Sequence, residues 1–274
     1  MAVTPRDAAT VILLRKARSG KDEDFEVLMA LRNRKSSFVP SSYVFPGGRV
    51  DDEDCLTKLE KFCRRSDLEK AKASIEKPSF PEIDLGLWIA AIRETFEEMG
   101  LLYAYRKDGS FMRFDGSNDE IEKYKAYRKS LADRSVSFAE ILSEERLTLA
   151  LDQLYYFSHW ITPELSPKRF DTRFFVAEAP RFQTALHDGQ ELTTHLWIRP
   201  RKALEQYWRH QFHMVVPTIV TLEELSRFKR IADVIESTRG KEVQSVMTRI
   251  VVTNGEVQEH APDGRIFRNL VASE

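Results

Sequence analysis

Arg93-Glu94-Thr95-Phe96-Glu97-Glu98-Met99-Gly100-Leu101 is the stretch on which the fold of this 274-residue chain turns. Around it, Ile89, Ile92, Phe96 and Met99 recur at the spacing of one apolar helix face. At about 100° per residue, Glu94, Glu97 and Glu98 fall together on roughly the opposite face. Gly100 stands where a helix usually ends. Like charges one turn apart repel in water, and a cation between them would relieve that repulsion. Hard carboxylate oxygens are what Mg²⁺ prefers, with the remaining positions left to water and substrate phosphate. Taken alone, the same pattern also describes an amphipathic helix with solvated glutamates.

Further upstream, Tyr43-Val44-Phe45-Pro46 leads into Gly47-Gly48, a glycine pair whose backbone can be approached closely because no Cβ blocks it. Together these segments resemble the box of the Nudix hydrolases, G-x5-E-x7-R-E-U-x-E-E-x-G-U, with U a bulky apolar residue. Gly48 matches the opening glycine, and Arg93, Glu94, Glu97, Glu98, Gly100 and Leu101 match the second half. Asp54 stands where the first glutamate belongs, the spacer before Arg93 is 38 residues long, and Thr95 replaces an apolar residue. The long spacer is similar to the interrupted box of the coenzyme A diphosphatase-like branch.

The resemblance implies an α+β fold, the Nudix α/β/α sandwich, with a helical insertion inside the box at about 55–86. The domain is expected over 1–210; residues 211–274 match no motif and are read from their own pattern as a helical and hairpin extension. As metal ligands the resemblance implies the Gly47 carbonyl and the carboxylates of Glu94, Glu97 and Glu98, holding Mg²⁺ with Mn²⁺ as the alternative. Arg93 takes an orienting role, tying the helix to the loop, and Gly48 faces the substrate. The general base is either a glutamate of the box or a carboxylate on a later loop. Glu191, in His187-Asp188-Gly189-Gln190-Glu191, is the loop candidate, with Asp188 behind it.

Two basic clusters are candidates for holding the rest of the substrate: Arg32, Arg34 and Lys35 before the glycines, and Arg169 and Arg173 in Pro167-Lys168-Arg169-Phe170-Asp171-Thr172-Arg173. In a strand, Arg169, Asp171 and Arg173 share one face; arginine suits bidentate phosphate contacts, and a salt-bridge ladder through Asp171 is the alternative. The reaction the resemblance implies is hydrolysis of the diphosphate of a nucleoside diphosphate linked to another moiety, with coenzyme A or an acyl-coenzyme A first. ADP-ribose, dinucleotides or NDP-sugars are the alternative substrates. A catalytically silent binding module is the alternative from another class, against which the three retained glutamates argue.

Composition bounds the rest. A net charge of −1 and a pI near 6.6 give no general pull toward nucleic acid or anionic membrane. The partner expected is a small nucleotide, with a homodimer left open, and neither nucleic acid nor membrane is expected. No apolar run is long enough to span a bilayer, and the N-terminus lacks a signal-peptide layout. The two cysteines, Cys55 and Cys63, match no zinc spacing and make no disulfide framework. A cytoplasmic location is the expectation.

Along the chain, strands are expected at 8–14 and 25–31 around a Ser19-Gly20-Lys21-Asp22 turn, and later at 155–161, 173–179 and 192–198. Helices are expected through 119–145 with a break near 133–135, from Pro200, and from Pro217 toward Ile235. Asn254-Gly255 between strand-like runs signals a hairpin. His210 and His213 read as structural, as do Tyr124 and Tyr127. The four tryptophans read as residues of the core or its edge.

Overall fold

Alternation along the first strand decides where the sheet sits. In β1 (Arg6–Lys16), Ala9, Val11 and Leu13 face one side while Ile12 and Leu14 face the other, and all five are buried. A strand buried on both faces belongs in the middle of a sheet covered by two layers. The computed structural model of the chain describes residues 3–18, 24–74, 81–253 and 256–268.

The elements follow in order: β2 (Phe25–Arg32), β3 (Tyr43–Val44), β4 (Gly47–Arg49), α1 (Arg65–Ser74), α2 (Pro81–Met99), β5 (Ala104–Tyr105), α3 (Asn118–Ala132), α4 (Phe138–Glu144), β6 (Thr148–Leu149), β7 (Tyr155–Ile161), β8 (Phe170–Glu178), β9 (Leu192–Ile198), α5 (Pro200–Trp208), α6 (Val216–Leu225), α7 (Ile231–Glu236), β10 (Ser245–Met247), β11 (Arg249–Thr253), β12 (Glu256–His260) and β13 (Ile266–Arg268). The main sheet runs β10-β7-β8-β1-β2-β3, with β4 also on β1 and β9 also on β2. β8 lies parallel to β1 and β10 parallel to β7, while the other pairings are antiparallel. One edge of β1 is shared: β2 takes Leu14–Lys16 and β4 takes Ala8–Thr10. That division brings Gly47 and Gly48 against the middle of the sheet.

Helices cover both faces, which is the α/β/α sandwich the sequence implied. On one side α2 lays Ile89, Ile92, Phe96 and Met99, all essentially inaccessible, against Ala9, Val11, Leu13, Leu28 and Ala30. Each such side chain contributes about 1.5–3 kcal/mol of burial. On the other side Ala203, Leu204, Val216, Ile219, Leu222, Leu225 and Val234 of α5, α6 and α7 pack on Ile12, Leu14, Val27 and Met29. Residues beyond 210, expected as an extension, thus supply much of the second helical layer. The helix expected from Pro217 to Ile235 is two helices. α6 stops at Ser226, whose hydroxyl donates to the Glu223 carbonyl (2.7 Å), and α7 restarts at Ile231.

The inserted segment contributes a 3₁₀ turn (Thr57–Phe62) and α1, and its Leu59, Phe62 and Ala71 join the core under α2. α2 begins at Pro81, so the last residues of the expected 55–86 insertion already belong to the box helix, and Asp84 and Leu85 are buried. The break near 133–135 separates α3 from α4, and Ser137 with Glu140 forms a capping box that starts α4. Tyr124 and Tyr127 both donate to Glu145 (3.3 and 2.7 Å) and pack edge to face. β11 and β12 pair antiparallel in the register expected of a hairpin. The Asn254-Gly255 pair between them, and the Ser19-Gly20-Lys21-Asp22 turn, lie outside the described residues. Trp88 and Trp160 are buried, but Trp208 is 60% exposed. It closes the last turn of α5, where its neighbour Tyr207 takes the packing position. Among the described residues no helix is long and apolar enough to cross a membrane.

Candidate active site

Arg93 is the most heavily bonded side chain of the region. Its Nε and Nη2 donate to the two oxygens of Asp54 (2.9 and 2.8 Å), Nη2 also donates to the Arg49 carbonyl (3.0 Å), and Nη1 donates to Glu94 and Glu97 (2.9 Å each). Asp54 reaches it from a turn in which the Asp51 N–H also donates to Asp54 (2.9 Å). The loop after the glycines is thereby fastened to α2 by a buried, bidentate ion pair, a geometry only the planar guanidinium provides. Asp54 is taken up by Arg93, and the missing methylene is made good by the close approach of the turn. Thr95, the other departure from the box, is fully buried and donates to the Ala91 carbonyl (2.7 Å), so its hydroxyl is satisfied inside the helix.

The glycines sit directly on the acidic helix. The Gly47 N–H donates to Glu98 Oε2 (2.8 Å). A Cβ placed on Gly48 would lie 2.5 Å from the Glu94 carboxyl carbon, so that carboxylate occupies the space glycine leaves. A Cβ on Gly47 would instead meet the Ala9 carbonyl oxygen at 2.3 Å, an immovable backbone atom of β1. Gly47 is required by the sheet and Gly48 by the site.

Glu94 and Glu98 are set apart from Glu97. Burial, opposed by Arg93 and reinforced by Glu97, pushes the Glu94 carboxyl up to about 7. Burial, then the charges of Glu94 and Glu191, raise Glu98 well above the usual carboxylate range. Glu94 and Glu97 share Arg93 Nη1 (2.9 Å each), while Glu98 accepts from the Gly47 N–H. Glu191, on the loop before β9, is close enough for its charge to raise both Glu94 and Glu98. It is tied to Arg32 at the end of β2 (2.5 Å), whose guanidinium in turn favours the Glu98 anion and whose buried Nε has no hydrogen-bond partner. Asp188 accepts from the Glu191 and Leu192 N–H groups (2.8 and 2.9 Å), shaping the loop that carries Glu191.

The fold therefore brings together Gly47, Gly48, Arg93, Glu94, Glu97, Glu98, Arg32 and Glu191. Arg34 is exposed on the loop beside Asn33, which bonds to the Gln190 and Glu191 carbonyls (2.8 and 2.9 Å). Arg169 and Arg173 are placed otherwise than expected. Arg169 donates to the Thr162 and Val3 carbonyls (3.0 and 2.8 Å), and Arg173 pairs with Asp7 and Asp171 (3.0 and 2.7 Å). Both are under 10% exposed. The physical reason is local: Arg169, just before β8, is held between the carbonyls after β7 and in the N-terminal segment, and Arg173 is neutralised by two carboxylates. His213 bonds to buried Ser42 (2.6 Å), a structural contact. Arg128 of α3 was not foreseen: it donates to the Glu97 (2.6 Å) and Glu98 carbonyls at the end of α2, whose last turn holds no basic residue. A cation there opposes the negative end of the helix dipole. Its partners are some thirty residues away and carry no sequence signal.

Among the described residues no three Asp, Glu, His or Cys side chains already converge at metal-ligand spacing. The donor set nonetheless fits a hard divalent cation. Two buried carboxylates, both destabilised as anions, adjoin a backbone glycine pair and a third carboxylate, and a cation is what would make them stable together.

A glycine pair seated on an acidic helix that is locked by an arginine to the preceding loop, within an α/β/α sandwich, defines a Nudix domain. The family model for the NUDT19 Nudix domain matches residues 5–227, and the chain belongs to that family. Among curated relatives, the chain is 28% identical over 234 residues to the acyl-coenzyme A diphosphatase NUDT19 of Xenopus laevis, covering 76% of this chain and 61% of that protein. It is 27% identical over 227 residues to the putative nudix hydrolase 7 of Caenorhabditis elegans, covering 82% and 61%. The chain thus spans less than two thirds of the length of these relatives. Among solved structures, a NUDIX hydrolase from Alicyclobacillus acidocaldarius superposes with a TM-score of 0.67 at 27% identity, covering 85% of this chain and 96% of the other. Nudix hydrolases generally use divalent metal ions such as Mg²⁺.

Proposed function

We propose that this domain is a Mg²⁺-dependent hydrolase of the diphosphate bond in a nucleoside diphosphate linked to another moiety, with coenzyme A or an acyl-coenzyme A as substrate. The observation that carries the reading is the gathering of Glu94, Glu98 and Glu191 beside the Gly47-Gly48 backbone. The naming of the frog relative as an acyl-coenzyme A diphosphatase supports the substrate class.

The substrate's phosphates repel any anionic nucleophile. Glu94, Glu97, Glu98 and the Gly47 carbonyl would hold the cation, which when bound would neutralise phosphate charge and acidify a water. Glu191 takes the proton of the attacking water. Arg32, paired to Glu191 at 2.5 Å, orients it beside the phosphates. The water oxygen bonds to phosphorus as the bridging P–O bond breaks, leaving two phosphomonoesters. Arg93, bonded from within α2 to Asp54, and Arg128, bonded to the last carbonyls of α2, hold the helix fixed, so that the carboxylates need not reorganise.

A panel of coenzyme A, an acyl-coenzyme A, ADP-ribose, NADH and dinucleoside polyphosphates, each with and without Mg²⁺, tests the reading. Hydrolysis of the coenzyme A compounds only with metal is expected. Efficient hydrolysis of ADP-ribose with coenzyme A untouched would overturn the substrate class and leave the chemistry standing. Absence of turnover on every compound would favour a silent binding module.

A further inference from the structure

Arg32 turns the Glu191 carboxylate, but the Glu191 side chain is 52% exposed, and an ion pair at the surface holds two flexible side chains only weakly. What fixes the carboxylate in space is the backbone that carries it. Along β2 and β9 the pairing is regular from Val27 opposite Ile198 to Leu31 opposite Thr194, and then slips by one residue to put Leu192 opposite Arg32. Thr193 is the extra residue of this bulge, and its hydroxyl donates to the Leu31 carbonyl (3.3 Å). A bulge re-aims the side chains beside it. In the unbroken register Glu191 would fall opposite Arg34, whereas after the slip it falls opposite Asn33.

Asn33 uses all its polar groups at that point. Its backbone N–H donates to the Glu191 carbonyl (2.9 Å), and its side-chain amide donates to the Gln190 carbonyl (2.8 Å). Its side-chain oxygen accepts from the Lys35 N–H (2.9 Å) and its carbonyl from the Ser36 N–H (2.9 Å), which closes a turn around Arg34. One side chain thus ties the turn after β2 to the two peptides that carry Glu191. The other end of the Glu191 loop is fastened to α2, where the Leu186 N–H donates to the Met99 carbonyl (2.9 Å).

We propose that Asn33 is a positioning residue for Glu191, an assignment resting on Glu191 as the base. Its amide holds the Gln190 peptide against the end of β2, so that the carboxylate meets the attacking water from one fixed direction. Without the amide the bulge, the Arg32 pair and the Asn33 backbone bond remain, and the base is displaced rather than lost. A displacement on the order of 1 Å at a reacting group costs up to about 10²-fold in rate.

Initial rates on dephospho-coenzyme A test it, since that compound lacks the 3′-phosphate and with it any contribution of neighbouring Arg34 to its binding; ADP-ribose serves should it be the compound turned over. Asn33→Ala should lower kcat by about 10- to 100-fold with KM unchanged. Asn33→Ser can still accept from the Lys35 N–H but falls short of the Gln190 carbonyl; it should lose as much, and it stands in should the alanine variant fail to fold. In a Glu191→Gln background, where no base is left to place, either substitution should cost nothing further. Wild-type kcat for the Asn33 variants beside an impaired Glu191→Gln, equal losses in both backgrounds, recovery by serine, or a change in KM alone would overturn the proposal and leave Glu191 as the base. Wild-type turnover by Glu191→Gln, or a wild type inactive on every compound of the panel, would remove the base itself and the proposal with it.

Discussion

Arg93 and Asp54, with 38 residues of chain between them, meet through two parallel N–H···O contacts of 2.9 and 2.8 Å in a site where Asp54 is 2% exposed. The insertion is therefore an excursion that leaves and returns to the same point. Its cost in loop entropy grows only with the logarithm of its length, and the ion pair closes it.

Breaking the pair should cost stability before it costs chemistry. Asp54→Ala leaves a buried guanidinium short of its carboxylate, worth roughly 3–5 kcal/mol, or a fall in melting temperature on the order of 10 °C for a chain of this size. Asp54→Glu restores the residue usual in the box but adds a methylene to a filled site, at about 1–3 kcal/mol. Thermal melts should rank wild type above glutamate and glutamate above alanine. A glutamate variant more stable than wild type would contradict the account of the turn.

The two glycines should fail in different ways. Gly47→Ala drives a Cβ into the backbone of β1 and should lower the melting temperature markedly. Gly48→Ala displaces only the Glu94 side chain and should leave the fold near wild type while cutting turnover by about 10²-fold or more. Melts and initial rates on both variants separate the two effects, and a stable, active Gly48→Ala protein would refute the placement of Glu94.

Glu98→Gln keeps shape and removes charge. Turnover at saturating Mg²⁺ should fall by at least about 10²-fold. The metal-free variant should be no less stable than wild type above pH 7, because the buried anion it removes is disfavoured. Wild-type turnover would remove Glu98 from the site.

The pH dependence has a definite sign. Glu94 ionises near 7 in the native protein and near 4.5 when unfolded, and Glu98 is shifted the same way. The native state holds these protons more tightly, so the Glu94 contribution to stability is complete below about pH 4.5 and is lost as pH rises through about 7, and that of Glu98 is lost in the same direction. Mg²⁺ binds the deprotonated carboxylates and should restore stability most strongly above pH 7. Melting temperatures from pH 5 to 8.5, with and without Mg²⁺, measure this, and a metal-induced shift that is largest at low pH would be the contrary result.

For the substrate, Arg34 is the exposed arginine of the candidates. Coenzyme A differs from dephospho-coenzyme A by one phosphate, and a charge-assisted contact to it is worth about 1.5–3 kcal/mol, or roughly 10- to 150-fold. Arg34→Ala should lose that factor in kcat/KM on coenzyme A alone. Arg173→Ala should instead destabilise the protein, since Asp7 and Asp171 lose their shared cation. Equal losses on both substrates would exclude Arg34 from the 3′-phosphate.

Much of this protein is local and periodic, and that part is legible in its residues. The apolar stripe of Ile89, Ile92, Phe96 and Met99 makes the helix, Gly100 ends it, the apolar run at 8–14 marks a strand, and the box residues name the chemistry. The roles that depend on what covers a side chain are decided only when the chain folds. Arg32 and Arg169 look alike in sequence, but one ends β2 beside Glu191 while the other is roofed over by β7 and the N-terminal segment. Glu97 and Glu98 are adjacent, yet one turns to Arg93 and the other to the Gly47 N–H. Arg128 finds the end of α2 through a contact between segments far apart in the chain. Such meetings are set by tertiary packing, because burial and charge neighbours, unlike helical period, are not properties of a residue and its near sequence.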